Sequence, residues 1–217
     1  MYKENFKNHF FQKAKFNQYI QKLFKPSEQK KITKTLNFAT KKHKGQFHFN
    51  RSPYIIHPIR VALILIEELK LKNPKLICAA LLHDIIEDCS VVFEDLNILF
   101  GYEVANLVKK VTRVRPVNET EKQKTKNKIL KIQEIAKTDK KARLLKLCDV
   151  LDNARSEIFI PRNSPFIKKI PRWHKEFLCY LPIAQYTHKV LFKLFVRVRD
   201  SWYTIQEMIG EQKNFQS

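Results

Sequence analysis

Apolar residues return every three or four positions along most of this chain, and nowhere do they alternate convincingly with polar ones over the length of a strand. Phe6, Phe10, Phe16, Tyr19, Ile20, Leu23 and Phe24 recur at roughly helical spacing among lysines, which predicts an amphipathic helix over 6–24 punctuated by Pro26 and Ser27. A second helix is expected over 28–42, stopping near Gly45, a residue suited to the turn after a helix. Residues 46–54 read as a loop. Pro58 then suits the first turn of a helix, with His57 just before it and apolar periodicity over 61–71. Asn73-Pro74 opens a helix over 75–89. Further helices are expected over 93–100, 103–114, 126–136, 140–155, 175–189 and 190–209, with 115–125 the most mobile loop and Pro161, Pro165 and Pro171 marking another. The fold class is all-α.

Composition narrows the chemistry. With 217 residues, 44% of them hydrophobic, the chain can bury one sizeable core. Its three glycines, Gly45, Gly101 and Gly210, exclude the glycine-rich loops that cradle phosphates. Cys78, Cys89, Cys148 and Cys179 lie far apart without a CxxC pair, so small reduced thiols are expected rather than disulfides or a zinc site. No apolar run has the length of a signal or a span, and a soluble cytoplasmic protein is expected.

Charge adds a contrast. The chain holds 42 basic and 21 acidic side chains, a formal +21, which forecasts an anionic partner. Yet residues 51–100 carry seven acids against five bases. An acidic island in a basic chain is where a metal is to be sought.

Within that island the helix KLICAALLHDIIEDC is apolar on most of its circumference. At about 100° per residue, Asp84, Glu87 and Asp88 fall within about 140° of His83, so four polar groups share one stripe. Burying them uncompensated is costly, and a divalent cation or nearby bases must sit there. His57 stands upstream at a helix start. Asp149 and Asn153 lie four apart in LLKLCDVLDNAR, on one face of a helix otherwise lined by leucines. Two imidazoles and two carboxylates suit Mn²⁺, Fe²⁺ or Zn²⁺, the alternative being a buried ion network without metal.

The order His57…His83-Asp84…Asp149 resembles that of the HD phosphohydrolase superfamily. HKGQ at 43–46, PYIIHPIRVA at 53–62, AALLHDIIED at 79–88, FGYEVANLVKKVTR at 100–113 and LLKLCDVLDNARS at 144–156 resemble, in order and spacing, the hydrolase domain of the RelA/SpoT alarmone enzymes. HKEFLCYLPIAQ at 174–185 resembles the helix that ends that domain in long members; the chain is too short for their synthetase domain as well. The resemblance implies an HD-domain helical bundle with additional N- and C-terminal helices: a basic amphipathic extension at 1–28, a hydrolase core at 29–157, and C-terminal helices at 158–217 packing on it. It implies a small alarmone hydrolase that removes pyrophosphate from the 3′ position of ppGpp or pppGpp, with ppApp as a further substrate. One Mn²⁺ would be held by His57, His83, Asp84 and Asp149, while Glu87 and Asp88 orient or deprotonate the attacking water.

Two stretches depart from the family pattern. The usual basic pair after HKGQ is replaced by His48 and Phe49, with Arg51 displaced. An aromatic loop can still stack a base and Arg51 can still meet phosphate, so His48, Arg51 and Asn153 are the expected substrate contacts. The later motif, usually close to KLADRLHN, has Val150 and Asp152 where arginine and histidine are usual; the bland account of both is drift at packing positions. Two further readings stand beside the alarmone one. The same chemistry could serve the 2′-phosphate of NADPH or a pyrophosphorylated RNA 3′ end. Alternatively, a catalytically retired HD fold could bind RNA through its lysines, those at 122–131 and the N-terminus included. Oligomeric state is not read from the sequence.

Overall fold

Why each helix starts where it does is visible in its first residues. In the computed structural model, which describes residues 2–48, 51–113, 116, 118–157, 159–160 and 163–214, α1 (Tyr2–Lys7) gives way to α2 (His9–Leu23) at Asn8. The Asn8 carboxamide oxygen accepts from the Phe11 N–H at 3.0 Å, capping α2. The single expected helix over 6–24 is therefore two. Its apolar stripe also divides: Phe16, Ile20 and Phe24 are buried, whereas Phe10 is 82% exposed.

Pro26 begins α3 (Pro26–Lys42), and Glu28 reaches back to the Lys25 N–H at 2.9 Å. After Gly45, at φ +81°, the chain makes an isolated bridge between Phe47 and Pro53, then enters α4 (Ile56–Leu63). Instead of continuing regularly, α4 widens into a π-helical turn, Ile64–Glu68, closed by the Leu69 N–H on the Ile64 carbonyl. Asn73 caps α5 (Pro74–Leu82) through the Leu76 N–H. A single turn, α6 (Ile85–Asp88), follows. Gly101, at φ +86°, separates α7 (Phe93–Phe100) from α8 (Tyr102–Val111), a conformation that favours glycine. A Thr120–Gln123 capping box starts α9 (Glu121–Lys137) five residues before the expected 126.

Downstream come α10 (Lys140–Glu157), a 3₁₀ turn (Ile167–Lys169), α11 (Ile170–Leu178), α12 (Leu181–Thr187) and α13 (Lys189–Asn214). Three helices thus stand where two were expected. The all-α class holds: no strand longer than the isolated bridge occurs among the described residues.

Every residue of α5 from Leu76 to Leu82 is buried, which makes it the central rod. It packs against α3, α4 and α8, and α10 runs across α4 and α5. Phe16 and Ile20 of α2, and Phe24 just after it, belong to the same apolar cluster as Ile59, Leu81 and Leu145, and α13 rests on α10 and α12. None of the four cysteines is bridged; Cys78 and Cys148 are buried and Cys179 is exposed. No helix among the described residues is long and apolar enough to cross a membrane.

Candidate metal centre

The residue pair at the end of α5 leaves the helix. Asp84 has φ −99° and ψ −1°, so the expected continuous helix over 75–89 breaks between Leu82 and Ile85. On a regular helix adjacent side chains diverge by about 100°, too far to share one ligand. Here the more negative φ at Asp84 departs from the helical value, and His83 Nε2 lies 3.0 Å from Asp84 Oδ2.

Two other helices deliver the rest. From the first turn of α4, His57 Nε2 comes within 3.1 Å of His83 Nε2, 3.2 Å of Asp149 Oδ1 and 3.6 Å of Asp84 Oδ2. Asp149, midway along α10, also approaches His83 Nε2 at 3.6 Å. The structure therefore gathers His57, His83 and Asp149 around one point, each less than 5% exposed, with Asp84 against the two imidazoles.

Hydrogen bonds on the far sides of the rings decide what this point will take. His83 Nδ1 faces the Ala80 carbonyl at 2.9 Å and can only donate to it. His57 Nδ1 faces a carboxylate oxygen of Asp152 at 2.7 Å and donates likewise. With both Nδ1 atoms protonated, the neutral rings turn Nε2 lone pairs toward each other beside two carboxylates. Such a set wants a cation. Without a metal, protons are the substitute: burial draws the pKa of His57 down, but hydrogen bonds to Asp149 and Asp152 raise it above the ordinary value. Burial likewise opposes the charge on His83, yet Asp84 and Asp149 carry its pKa well above normal. Against burial, the neighbouring cations hold the Asp84 and Asp149 carboxyls below their usual range, with His83 first for Asp84 and Lys146 first for Asp149. The ligand atoms of His57, His83 and Asp149 lie within 4.8 Å of one another, with Asp84 against both imidazoles; two borderline nitrogens beside hard oxygens fit a divalent transition metal.

A further layer holds these ligands. Asp149 accepts from Lys146 Nζ at 2.7 Å on Oδ2 and from Asn153 Nδ2 at 2.7 Å on Oδ1. Asn153 Oδ1 in turn accepts from His48 Nε2 at 3.2 Å. His48 is buried and stacked on His57, and burial drops its pKa to about 3. It braces the centre as a neutral ring. Arg51 stands exposed at φ +65°, in the turn closed by its own N–H on the His48 carbonyl; Phe49 lies outside the described residues.

Glu87 and Asp88, on α6, diverge. Asp88 Oδ2 lies 3.1 Å from the Tyr54 hydroxyl, which donates to Asp84 Oδ2 at 2.6 Å. Glu87 accepts from the Arg113 N–H at 2.6 Å, where α8 ends. Gln46 of the HKGQ stretch donates to the Asp88 carbonyl at 2.9 Å and accepts from His43 Nδ1 at 2.7 Å, fixing α6 from outside. Sequence reasoning passed over Tyr54, Lys146 and Arg60, and had drift at a packing position as the bland account of Asp152, which instead bonds His57 and Arg60. A signal for Arg60 was available: a lone arginine in the otherwise apolar PIRVALILI needs a buried acid.

A cavity of about 280 Å³ opens beside Asp149. Lys128, Lys146, Asn153, Trp173 and Tyr180 line it, along with Glu157, whose carboxyl burial pushes up to about 8. Lys146, bonded to Asp149, and the Trp173 indole in one cavity wall suit a phosphorylated nucleoside.

The HD domain family profile matches residues 35–160, a span holding His57, His83, Asp84 and Asp149. A probable guanosine-3′,5′-bis(diphosphate) 3′-pyrophosphohydrolase of Mycoplasma pneumoniae is 37% identical over 144 residues, 63% of this chain and 19% of that protein. The guanosine-3′,5′-bis(diphosphate) 3′-pyrophosphohydrolase MESH1 of Drosophila melanogaster is 38% identical over 127 residues, 58% of this chain and 68% of that one. A solved structure described as "A metazoan ortholog of SpoT hydrolyzes ppGpp and plays a role in starvation responses" superposes with a TM-score of 0.70 at 30% identity, covering 79% of this chain and 94% of that one. The chain spans about a fifth of the length of the Mycoplasma relative and about two thirds of that of MESH1.

Proposed function

This chain belongs to the HD domain family, and on that footing we propose that it is a divalent-metal-dependent hydrolase of guanosine-3′,5′-bis(diphosphate), releasing pyrophosphate from the 3′ position. The observation that carries the reading is the pair of Nε2 lone pairs facing across 3.1 Å between the Asp84 and Asp149 carboxylates. His57, His83, Asp84 and Asp149 are proposed as ligands, Mn²⁺ as the ion, and residues 29–157 as the hydrolase core flanked by 1–28 and 158–217. The bound ion supplies Lewis acidity to the phosphoryl oxygens of the substrate.

The chain's own groups do the remainder. Asp88 stands one hydroxyl away from Asp84, so its carboxylate is the base proposed to take the proton of the attacking water. Water adds at the phosphorus bonded to the ribose O3′, that P–O bond breaks, and O3′ takes up the proton that Asp88 removed from the water as pyrophosphate departs. Lys146 and Lys128 meet the phosphate charge, while Trp173 offers a face to the base. Glu87, through the Arg113 N–H, ties α6 to the end of α8 and keeps Asp88 in place.

The test is direct. Purified protein with Mn²⁺ is given ppGpp and the release of pyrophosphate is followed. Turnover that disappears in His83→Ala is expected. A protein that binds Mn²⁺ yet leaves ppGpp intact would overturn the substrate reading, with NADPH and a 3′-pyrophosphorylated RNA offered in the same assay as the competing substrates.

A further inference from the structure

The two imidazoles of the centre are aimed by different means. His83 leans on a backbone carbonyl three residues back, which its own helix provides. His57 leans on Asp152, and Asp152 is itself held at both oxygens: Oδ1 accepts from Arg60 Nε at 2.7 Å, and Oδ2 accepts from Arg60 Nη2 at 2.9 Å as well as from His57. Arg60 is fixed in turn. Its Nη2 also donates to Ser156 Oγ at 2.9 Å, its Nη1 donates to the Phe6 carbonyl at 3.3 Å, and its guanidinium lies 4.2 Å from the centre of the Phe6 ring. Phe6 stacks on Phe159 at 4.8 Å. A continuous set of contacts runs from α1 to the metal-facing nitrogen of His57.

Stability alone does not account for this pair. Arg60 and Asp152 are 4% and 1% exposed, and a buried ion pair is often no more stabilising than apolar residues of the same volume. A carboxylate on the far nitrogen of a ligand histidine has a separate use: it fixes the tautomer and strengthens the ligand. The spacing supports that use. Arg60 lies three residues after His57 on α4, and Asp152 three after Asp149 on α10, so each partner sits one turn from a ligand of the centre. Asp152 is also the position at which this chain departs from the usual histidine of the resembling family, so the device belongs to this chain's own residues.

We propose that Asp152 and Arg60 are positioning residues for His57, and that α1, through Phe6, completes them, making the N-terminal segment part of the metal centre. The inference rests on the metal-binding reading given above. It assigns the segment before the hydrolase core a task that the basic charge of that segment does not express.

The test uses the full chain and reads metal binding directly, with Mn²⁺ affinity measured by competition with a chromogenic chelator and the visible spectrum taken with Co²⁺. Asp152→Asn keeps the shape but loses the charge; it is expected to weaken Mn²⁺ binding by about 10–100-fold, shift the Co²⁺ spectrum, and recover turnover at excess Mn²⁺. Phe6→Ala should weaken binding in the same direction by less. Unchanged affinity and spectrum in folded Asp152→Asn would overturn the proposal, because a merely structural pair lowers the melting temperature of the metal-free protein without altering the ion's surroundings. Should that variant not fold, Arg60→Lys decides: it keeps the charge and loses the fork, and wild-type affinity there overturns the proposal equally. A wild-type chain that takes up neither ion would overturn the metal centre itself, an outcome seen before any variant is made.

Discussion

The Tyr54 hydroxyl donates to Asp84 at 2.6 Å and has Asp88 as a second acceptor at 3.1 Å, so one proton links a ligand carboxylate to the proposed base. Burial and the two aspartates together push the Tyr54 pKa far up, which keeps that proton on the hydroxyl across the working pH range. Tyr54→Phe leaves both carboxylates without it. Turnover at saturating Mn²⁺ is expected to fall about tenfold, and Asp88→Asn to lower it by about 10²–10⁴ with Mn²⁺ affinity retained. Steady-state kinetics beside a metal titration check the pair; an active Asp88→Asn would remove Asp88 from the proton transfer.

Metal binding and folding are linked. An ion that binds only the native state stabilises it by about 2.7 kcal/mol at a hundred times its dissociation constant. Thermal melts of metal-stripped protein should therefore rise by several degrees on adding Mn²⁺. In His83→Ala the same addition should leave the melting temperature unmoved.

Phe16, on α2, is 1% exposed and lies in the same apolar cluster as the helices that carry the ligands. Phe16→Ala is expected to cost about 3–5 kcal/mol, as for other large buried aromatics. Urea unfolding should show that loss in one transition. A variant near wild-type stability would mean that α2 is only loosely applied to the core.

Glu157 sits among Lys128, Lys146, Asp149 and Glu176 in the cavity wall, with its carboxyl raised from 4.5 to about 8 by burial. Its folded value exceeds its unfolded one, so folding takes up a proton between them. The stabilisation is fully present below about pH 4.5 and is lost as pH rises toward 8. Glu157→Gln has no proton to lose. Its melting temperature relative to wild type should therefore climb by several degrees between pH 5 and pH 8, each pKa unit of linkage being worth about 1.4 kcal/mol and each kcal/mol about 2–4 °C in a domain of this size. Parallel pH dependences in the two proteins would contradict the raised value.

Much of this was legible in the chain before any coordinates. Leu144, Leu145, Leu147, Cys148 and Leu151 around Asp149 imply a helix buried on nearly every side, and α10 is one. Polar groups stranded among apolar ones pointed to His57, His83, Asp84 and Asp149, and the structure brings His57, His83 and Asp149 together with Asp84 against the imidazoles. What a helical wheel cannot show is a departure from the helix. The chain turns at Asp84 and widens to a π-helical turn at Ile64–Glu68, and 100° per residue misplaces side chains beyond each. Asp152 was hidden for another reason: its partners His57 and Arg60 lie 95 and 92 residues away, and only the fold brings them together. His48 stands where the resembling family has one of its basic pair; beside the Phe47–Pro53 bridge it is buried against His57 and Asn153, a placement the loop sequence does not show.

The contact between His83 and Asp84 has a kinetic consequence. Neighbours along one backbone behave as the two arms of a single chelator: when one arm releases an ion, the other keeps it within a few ångströms, at a high effective concentration for recapture. Exchange with free ions should therefore be slow compared with what either side chain alone would give.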